Sequence, residues 1–360
     1  MLRKTSFQDV IMVGGILIFT SLLLRRSQSA TLQQMKNDGP PAPITGDARG
    51  REAIVPEQIP ARGLKDVFWR VVHEISDDRV TLIAAGVTFY ILLALFPALA
   101  ALVSFYGFFA EPAHIAEQLG TLSYLLPPGA FEMISDQLTA LAERRTSSLS
   151  LTFIIGLAIA VWSSHSGTMS LFDAINIAYE EREKRGIVKL NLIALVFTVC
   201  GIGGAIVLIG LVAVLPLLLT FLWLDAWSET LALVLRWPVL LVIVVAAISA
   251  IYRFGPSREP ARLRWITWGA VFATAAWLIM SMGFSLYLTN FADYSITYGA
   301  LGALIGFLIW TWLSVVILIV GAELNAELEH QTTVDTTTGR PQPMGSRGAY
   351  VADTIGESAK

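Results

Sequence analysis

The sequence predicts an all-α integral membrane protein: a six-helix transmembrane bundle, with an N-terminal hydrophobic segment and short amphipathic helices at the membrane surface. Three observations carry that prediction. Val80–Ala110 runs for 31 residues without a charged side chain, where about 20 helical residues cross a hydrocarbon core of roughly 30 Å. Five further apolar runs follow it. The whole chain of 360 residues is 55% hydrophobic and only 15% charged, against roughly 25% charged in an ordinary soluble domain.

In chain order, Val10–Leu24 is a short apolar run between Arg3-Lys4 and Arg25-Arg26. Two arginines directly behind the apolar core are a poor cleavage context, which favours an accessory anchor over residues 1–26 rather than a signal peptide. Residues 27–61 are rich in Pro, Gly, Gln and Ser, including Gly39-Pro-Pro-Ala-Pro43, and read as a solvated linker. Leu64, Val67, Phe68, Val71 and Ile75 then share a helical stripe opposite Lys65, Asp66, Arg70 and Glu74. This is an amphipathic helix, either lying on the membrane surface or packed under the bundle. The membrane domain is expected over 62–330. Val80–Ala110 is its first span, and Glu111–Thr146 supplies two amphipathic helices divided at Pro127-Pro128-Gly129. Ser147–Phe172, Ile187–Leu224, Thr230–Tyr252, Trp265–Ala292 and Tyr294–Ala322 are spans two to six. Pro216 ends or kinks the third. Residues 331–360 are polar, with Thr, Gly and Pro, and read as a disordered tail.

Lys and Arg set the orientation. They gather in the loop between spans two and three (Arg182, Lys184, Arg185, Lys189) and between spans four and five (Arg253, Arg258, Arg262, Arg264), and are absent between five and six. Both ends of the six-span domain are therefore expected in the cytoplasm. Trp223, Trp227 and Trp237 mark the outer boundary, and Trp265 and Trp268 the inner one.

Four motifs resemble the YihY/virulence factor BrkB family. They are Ala85-Gly-Val-Thr-Phe-Tyr90 leading to Leu95-Phe-Pro97; Trp162-Ser with Ala174-Ile-Asn176 and Tyr179; Tyr252-Arg-Phe-Gly-Pro256; and Tyr298-Gly299 through Trp310 to Gly321-Ala-Glu-Leu-Asn325. The resemblance covers about Leu64–Glu329 and implies a six-helix protein of the bacterial inner membrane. Members of the family have been labelled ribonuclease BN; the resemblance assigns no activity.

Several residues are candidates for function. Pro97 removes a backbone hydrogen bond from the first span, as in broken transporter helices and also in plain bundles. His165 sits among Ser163, Ser164, Ser166 and Thr168, suited to a bond with a neighbouring helix or to proton handling. Asp173, Asn176 and Glu180 follow span two at helical spacing; they form a solvated face or, with the arginines of the fourth loop, a charged mouth. Glu323 and Asn325 close span six, where a carboxylate opposes the helix dipole and calls for a basic partner such as Arg253 or Arg258. Gly299, Gly302 and Gly306 share one face and suit close helix packing or a bare-backbone groove.

The excluded classes are informative. Net charge is −3 and gives no basic field for nucleic acid. One cysteine, Cys200, allows no internal disulfide. The four histidines are scattered, and no P-loop, H-E-x-x-H, Cys/His metal spacing or G-x-S-x-G elbow is present. No cofactor, metal or catalytic residue is expected, and enzymatic activity is not favoured. The expected partners are membrane lipids, with envelope proteins or a second copy of the chain compatible. Three readings follow: transport or flipping of a lipid or amphiphilic anion, an envelope scaffold, and, last, a membrane ribonuclease.

Overall fold

The computed structural model describes residues 49–106, 149–209, 226–290 and 302–358. Among these residues the secondary structure is helical, apart from a single antiparallel bridge between Ala261 and Thr337. A 3₁₀ turn, Pro56–Gln58, leads into α1 (Ala61–Asp77). Then come α2 (Val80–Tyr106), α3 (Leu149–Ala178), α4 (Ile187–Ile209), α5 (Ala226–Phe254), α6 (Leu263–Asn290), α7 (Gly302–Glu329) and a one-turn α8 (Tyr350–Asp353). Five helices, α3 to α7, are long and apolar enough to cross a membrane, and the bent pair α1–α2 raises the number to six. The expected anchor, most of the expected linker and the Glu111–Thr146 helices lie outside the described residues, as does Pro216.

The apolar runs predict the spans well because the bilayer leaves backbone amides no partner but their own helix. Side-chain hydroxyls follow the same rule. Thr88, Thr198 and Thr274 each donate back to the carbonyl four residues earlier, at 2.7, 2.8 and 2.8 Å. Helix α5 continues through Pro238. Helix α7 is the hub, packing against α1, α2, α3 and α6, and it is the most buried of the spans. Two reciprocal bonds tie it to α6: Trp277 Nε1 donates to Ser314 Oγ (3.0 Å) and Trp310 Nε1 to Ser281 Oγ (3.1 Å).

Close approach between α6 and α7 rests on two glycines outside the predicted Gly299, Gly302 and Gly306 face. A Cβ at Gly269 would overlap the Gly321 carbonyl, and a Cβ at Gly321 would overlap the Tyr252 hydroxyl. These two glycines let α6 and α7 meet backbone to backbone. A Cβ at Gly306 meets no described atom within 4 Å. Gly302 is the first residue of α7, and Gly299 lies outside the described residues.

Helix α1 combines its two expected settings. Val67 and Val71 are buried with Trp265 and Leu328, while Leu64, Phe68 and Trp69 stay exposed on the opposite side. The buried face is therefore rotated from the predicted stripe and takes in Asp66, which pairs with Arg49 at 2.6 Å. Trp265, expected in the interfacial belt, is 1% exposed and belongs to this packing.

Two expectations are corrected at the chain's polar segments. The expected linker is folded over 49–61, with Ala53 and Ile59 buried. The tail is folded over 331–358: Gln331, Thr332 and Thr336 are fully buried. Composition misleads because these residues fold by exchanging backbone hydrogen bonds with remote segments rather than by burying an apolar stripe. Thr332 Oγ1 donates to the Ala53 carbonyl (2.7 Å), Gln331 Nε2 to the Arg49 carbonyl (2.9 Å) and Arg262 N–H to the Thr336 carbonyl (2.9 Å). Arg347 spans the tail itself, donating to the carbonyls of Ala352 (2.6 Å) and Thr333 (2.7 Å).

Candidate functional site: a buried polar cluster under an apolar groove

The C-terminal part of α7 carries three buried carboxylates, Glu323, Glu327 and Glu329, with Asn325 between them. The helix runs on to Glu329, so Glu323 is not its last residue as the sequence suggested. The dipole argument passes to Glu327 and Glu329, and both have cations. Arg70 of α1 pairs with Glu327 and also donates to the Glu327 carbonyl (3.1 Å) and Gln331 Oε1 (2.9 Å). Arg258 meets Glu329 with both Nη atoms, at 3.2 and 2.7 Å, with side chains only 2% and 0% exposed. Its guanidinium also lies 5.0 Å from the centre of the Tyr179 ring. Arg258 therefore serves Glu329 rather than Glu323. Arg253 does not fill that place: its guanidinium lies over Phe254, and its Nε is buried without a hydrogen-bond partner.

Glu323 is 1% exposed, and its Oε1 has no hydrogen-bond partner. No cation pairs with it among the described residues; the groups facing it are Asp78, Glu74 and Glu327. The Tyr179 hydroxyl and Asn325 Nδ2, both buried, lie close by and next to one another. Asn325 Oδ1 accepts the Gly269 N–H at 2.7 Å, which the glycine contact makes reachable. The Tyr252 hydroxyl donates to the Leu318 carbonyl at 2.6 Å.

Asn176 joins the end of α3 to the α5–α6 loop. Its Oδ1 accepts Ser257 N–H at 2.7 Å, and its Nδ2 donates to Glu183 at 3.1 Å. Arg185 holds Glu183 through Nε and Nη2, both at 2.7 Å, and donates to the carbonyls of Phe254 (3.1 Å) and Gly255 (2.8 Å). These bonds from Arg185, against some burial, hold the Glu183 carboxyl down at about 2. Asn176 is thus tied to the α5–α6 loop through Ser257, while the arginine in this network is Arg185 of the α3–α4 loop rather than one of the α5–α6 loop. Asp173 remains exposed on α3.

Glu180 sits at φ 52°, in the left-handed region. This turn brings its carboxylate, Glu327 and His330 together, with ligand atoms all within 4.8 Å of one another. The sequence showed no such cluster, because Glu180 and Glu327 are far apart in the chain. These three side chains could hold a metal ion, yet Glu327 already has Arg70, and His330 contacts Glu327 (Nδ1, 3.4 Å) and Thr354 Oγ1 (Nε2, 3.0 Å).

The two span residues fall apart from the cluster. His165 Nε2 meets Asn191 Oδ1 of α4 at 3.0 Å, which is a bond between helices. α2 continues through position 97, and the Pro97 side chain lies outside the described ones.

Beside the hub, α2 and α7 leave an apolar groove of about 330 Å³. Ala85, Thr88, Phe89 and Leu92 line one wall, and Leu308, Ile309 and Trp312 the other. Trp312 Nε1 closes one end by donating to the Thr81 carbonyl at 2.9 Å. Ala85 and Phe89 are exposed, so the groove opens to the helix surroundings. At about 1.5 Å rise per residue, Glu323 lies about 16 Å along α7 from Trp312, and the start of α2 at Val80 about 7 Å from Ala85. Sequence reasoning missed the groove, and it missed Asp78, Glu74, Arg70, Glu327 and Glu329. The carboxylates four apart at Glu323 and Glu327, on an otherwise apolar helix, were the available signal.

The family model for virulence factor BrkB matches residues 71–345, and so reaches into the folded tail. The chain is 30% identical over 277 residues to the ribonuclease-like protein YfkH of Bacillus subtilis (strain 168), covering 74% of this chain and 94% of that one. It is 27% identical over 270 residues to the UPF0761 membrane protein VP0125 of Vibrio parahaemolyticus, covering 73% and 82%. A UPF0761 membrane protein of Alteromonas mediterranea is 26% identical over 271 residues, covering 74% and 88%. No solved structure matches the chain. On the extent of the family match, with the apolar spans that fit it, this chain is a membrane protein of the virulence factor BrkB family.

Proposed function

We propose that this protein moves an amphiphilic anion, a lipid or lipid-like molecule with a charged headgroup, between the leaflets of the bacterial inner membrane. The reading is carried by one observation: an apolar groove open to the helix surroundings lies on α7, the helix whose C-terminal part carries the buried polar cluster, with the Trp312–Thr81 bond between the two. Its volume is at the small end of ligand pockets, roughly 300–1,000 Å³, and suits an apolar tail. Exposed Lys184 and Arg182 stand beside the polar end, where an anionic headgroup would be drawn. The polar end also gathers the two basic loops and the tail, through Lys184 N–H to Ser257 (2.9 Å) and Arg262 N–H to Thr336 (2.9 Å). By the positive-inside tendency that end faces the cytoplasm, and the C-terminus with it.

The test is transbilayer movement of a labelled anionic phospholipid in liposomes containing the purified full chain. Wild type should move the label faster than protein-free liposomes of the same lipid. Equal rates with folded protein would contradict the reading and leave an envelope scaffold as the better account.

A further inference from the structure

We propose that Glu323 and Asp78 form a buried proton-binding site, in which one proton is held between two carboxyl groups at the bend between α1 and α2. The inference rests on geometry and does not require that the protein moves a lipid. If both hold, the proton becomes the natural coupling ion for that movement.

The argument starts from the charge balance on α7. Of its three buried carboxylates, Glu327 has Arg70 and Glu329 has Arg258. Glu323 has neither, and one of its oxygens is buried without any hydrogen bond. The groups around it come from several elements. α1 contributes Glu74, the α1–α2 bend Asp78, the turn after α3 Tyr179, and α7 itself Glu327. Tyr252 of α5 stands at Gly321 with its hydroxyl committed to the Leu318 carbonyl. All of these groups are acidic or neutral, and the nearby guanidiniums of Arg70 and Arg258 are committed to Glu327 and Glu329.

A second charge cannot be placed there cheaply. An ionised carboxylate out of water needs a cation or several donors, and a neighbouring carboxylate makes ionisation of both worse. A proton removes the conflict: one carboxyl becomes an O–H donor and the other remains an acceptor. Asp78 is half-buried, so it connects the enclosed Glu323 to the polar end. The bend that brings it there is built by Arg79, at φ 52°. Two of the surrounding acids, Glu74 and Asp78, respond in the same sense. Burial, then Glu327 and Asp78, push the Glu74 carboxyl up to about 7, and burial raises Asp78 as well.

The proposal is read out by infrared spectroscopy of the full-length protein in lipid nanodiscs at neutral pH. Wild type should show a protonated-carboxyl C=O band that Glu323→Gln removes and Asp78→Asn shifts. Glu323→Gln should also keep the wild-type melting temperature at neutral pH, because glutamine reproduces the neutral form. Two results would overturn the site: the same carboxyl bands in wild type and both variants, or a Glu323→Gln protein that unfolds while Asp78→Asn leaves the spectrum unchanged. None of these outcomes depends on lipid movement, so this site and the transport reading fail separately.

Discussion

At the scale of single residues, the polar end is governed by which carboxylates have cations. Arg258 and Glu329 are both almost fully buried, and removing one partner strands the other in a medium that solvates charge poorly. Arg258→Ala should therefore lower stability by about 3–5 kcal/mol, measured by unfolding in detergent; a loss no larger than that of a surface arginine would refute the assignment. Glu183 responds to pH in a defined direction. Its folded value, about 2, lies below its ordinary 4.5. Its contribution is thus fully present above about pH 4.5 and is lost as pH falls toward about 2. Arg185→Gln should flatten that acid limb of a melting-temperature profile. Backbone strain makes a third case. Arg79 holds a left-handed conformation that a Cβ disfavours by roughly 1–2 kcal/mol. Arg79→Gly should stabilise by about 1 kcal/mol, and Arg79→Val should do the reverse.

At the scale of elements, the contact between α6 and α7 depends on what is missing as much as on what is present. Gly269 and Gly321 have no side chain, so Asn325 can reach the Gly269 amide across the interface. Gly321→Leu should push the two helices apart and destabilise by about 1–3 kcal/mol, whereas Gly283→Ala, at an exposed position of α6, should be tolerated. A melting-temperature comparison of the two variants checks this. The spans were legible in the sequence because hydrocarbon imposes a length and forbids charge, and Val80–Tyr106 and Leu263–Asn290 follow directly. The packing glycines were less legible. A small-residue spacing says that helices can approach, not which helix arrives: Gly302 and Gly306 fit the pattern, while Gly321, four residues from Ile317 and Asn325, does not.

For the whole molecule, the polar end is assembled from segments that sequence proximity cannot connect. Arg70 and Glu327 are 257 positions apart, and Thr332 and Ala53 are 279 apart. This is why Glu323 was visible as an anomaly in an apolar helix while its neighbours were not. It is also why a Thr- and Gly-rich tail read as disordered although its backbone is tied to Arg51 and Pro260 and its Thr332 hydroxyl to Ala53. The groove belongs to this scale too, since neither α2 nor α7 defines it alone. The central claim, that an amphiphile uses this groove, is tested most directly by filling it. Ala85→Trp places a ring in the groove, and Ile279→Trp places the same ring on the outward surface of α6, where Ile279 is 67% exposed. The measurement is the rate of labelled anionic phospholipid movement for wild type and both variants in identical liposomes. The account predicts that Ala85→Trp falls to the protein-free rate while Ile279→Trp keeps the wild-type rate; equal rates for the two variants would contradict it.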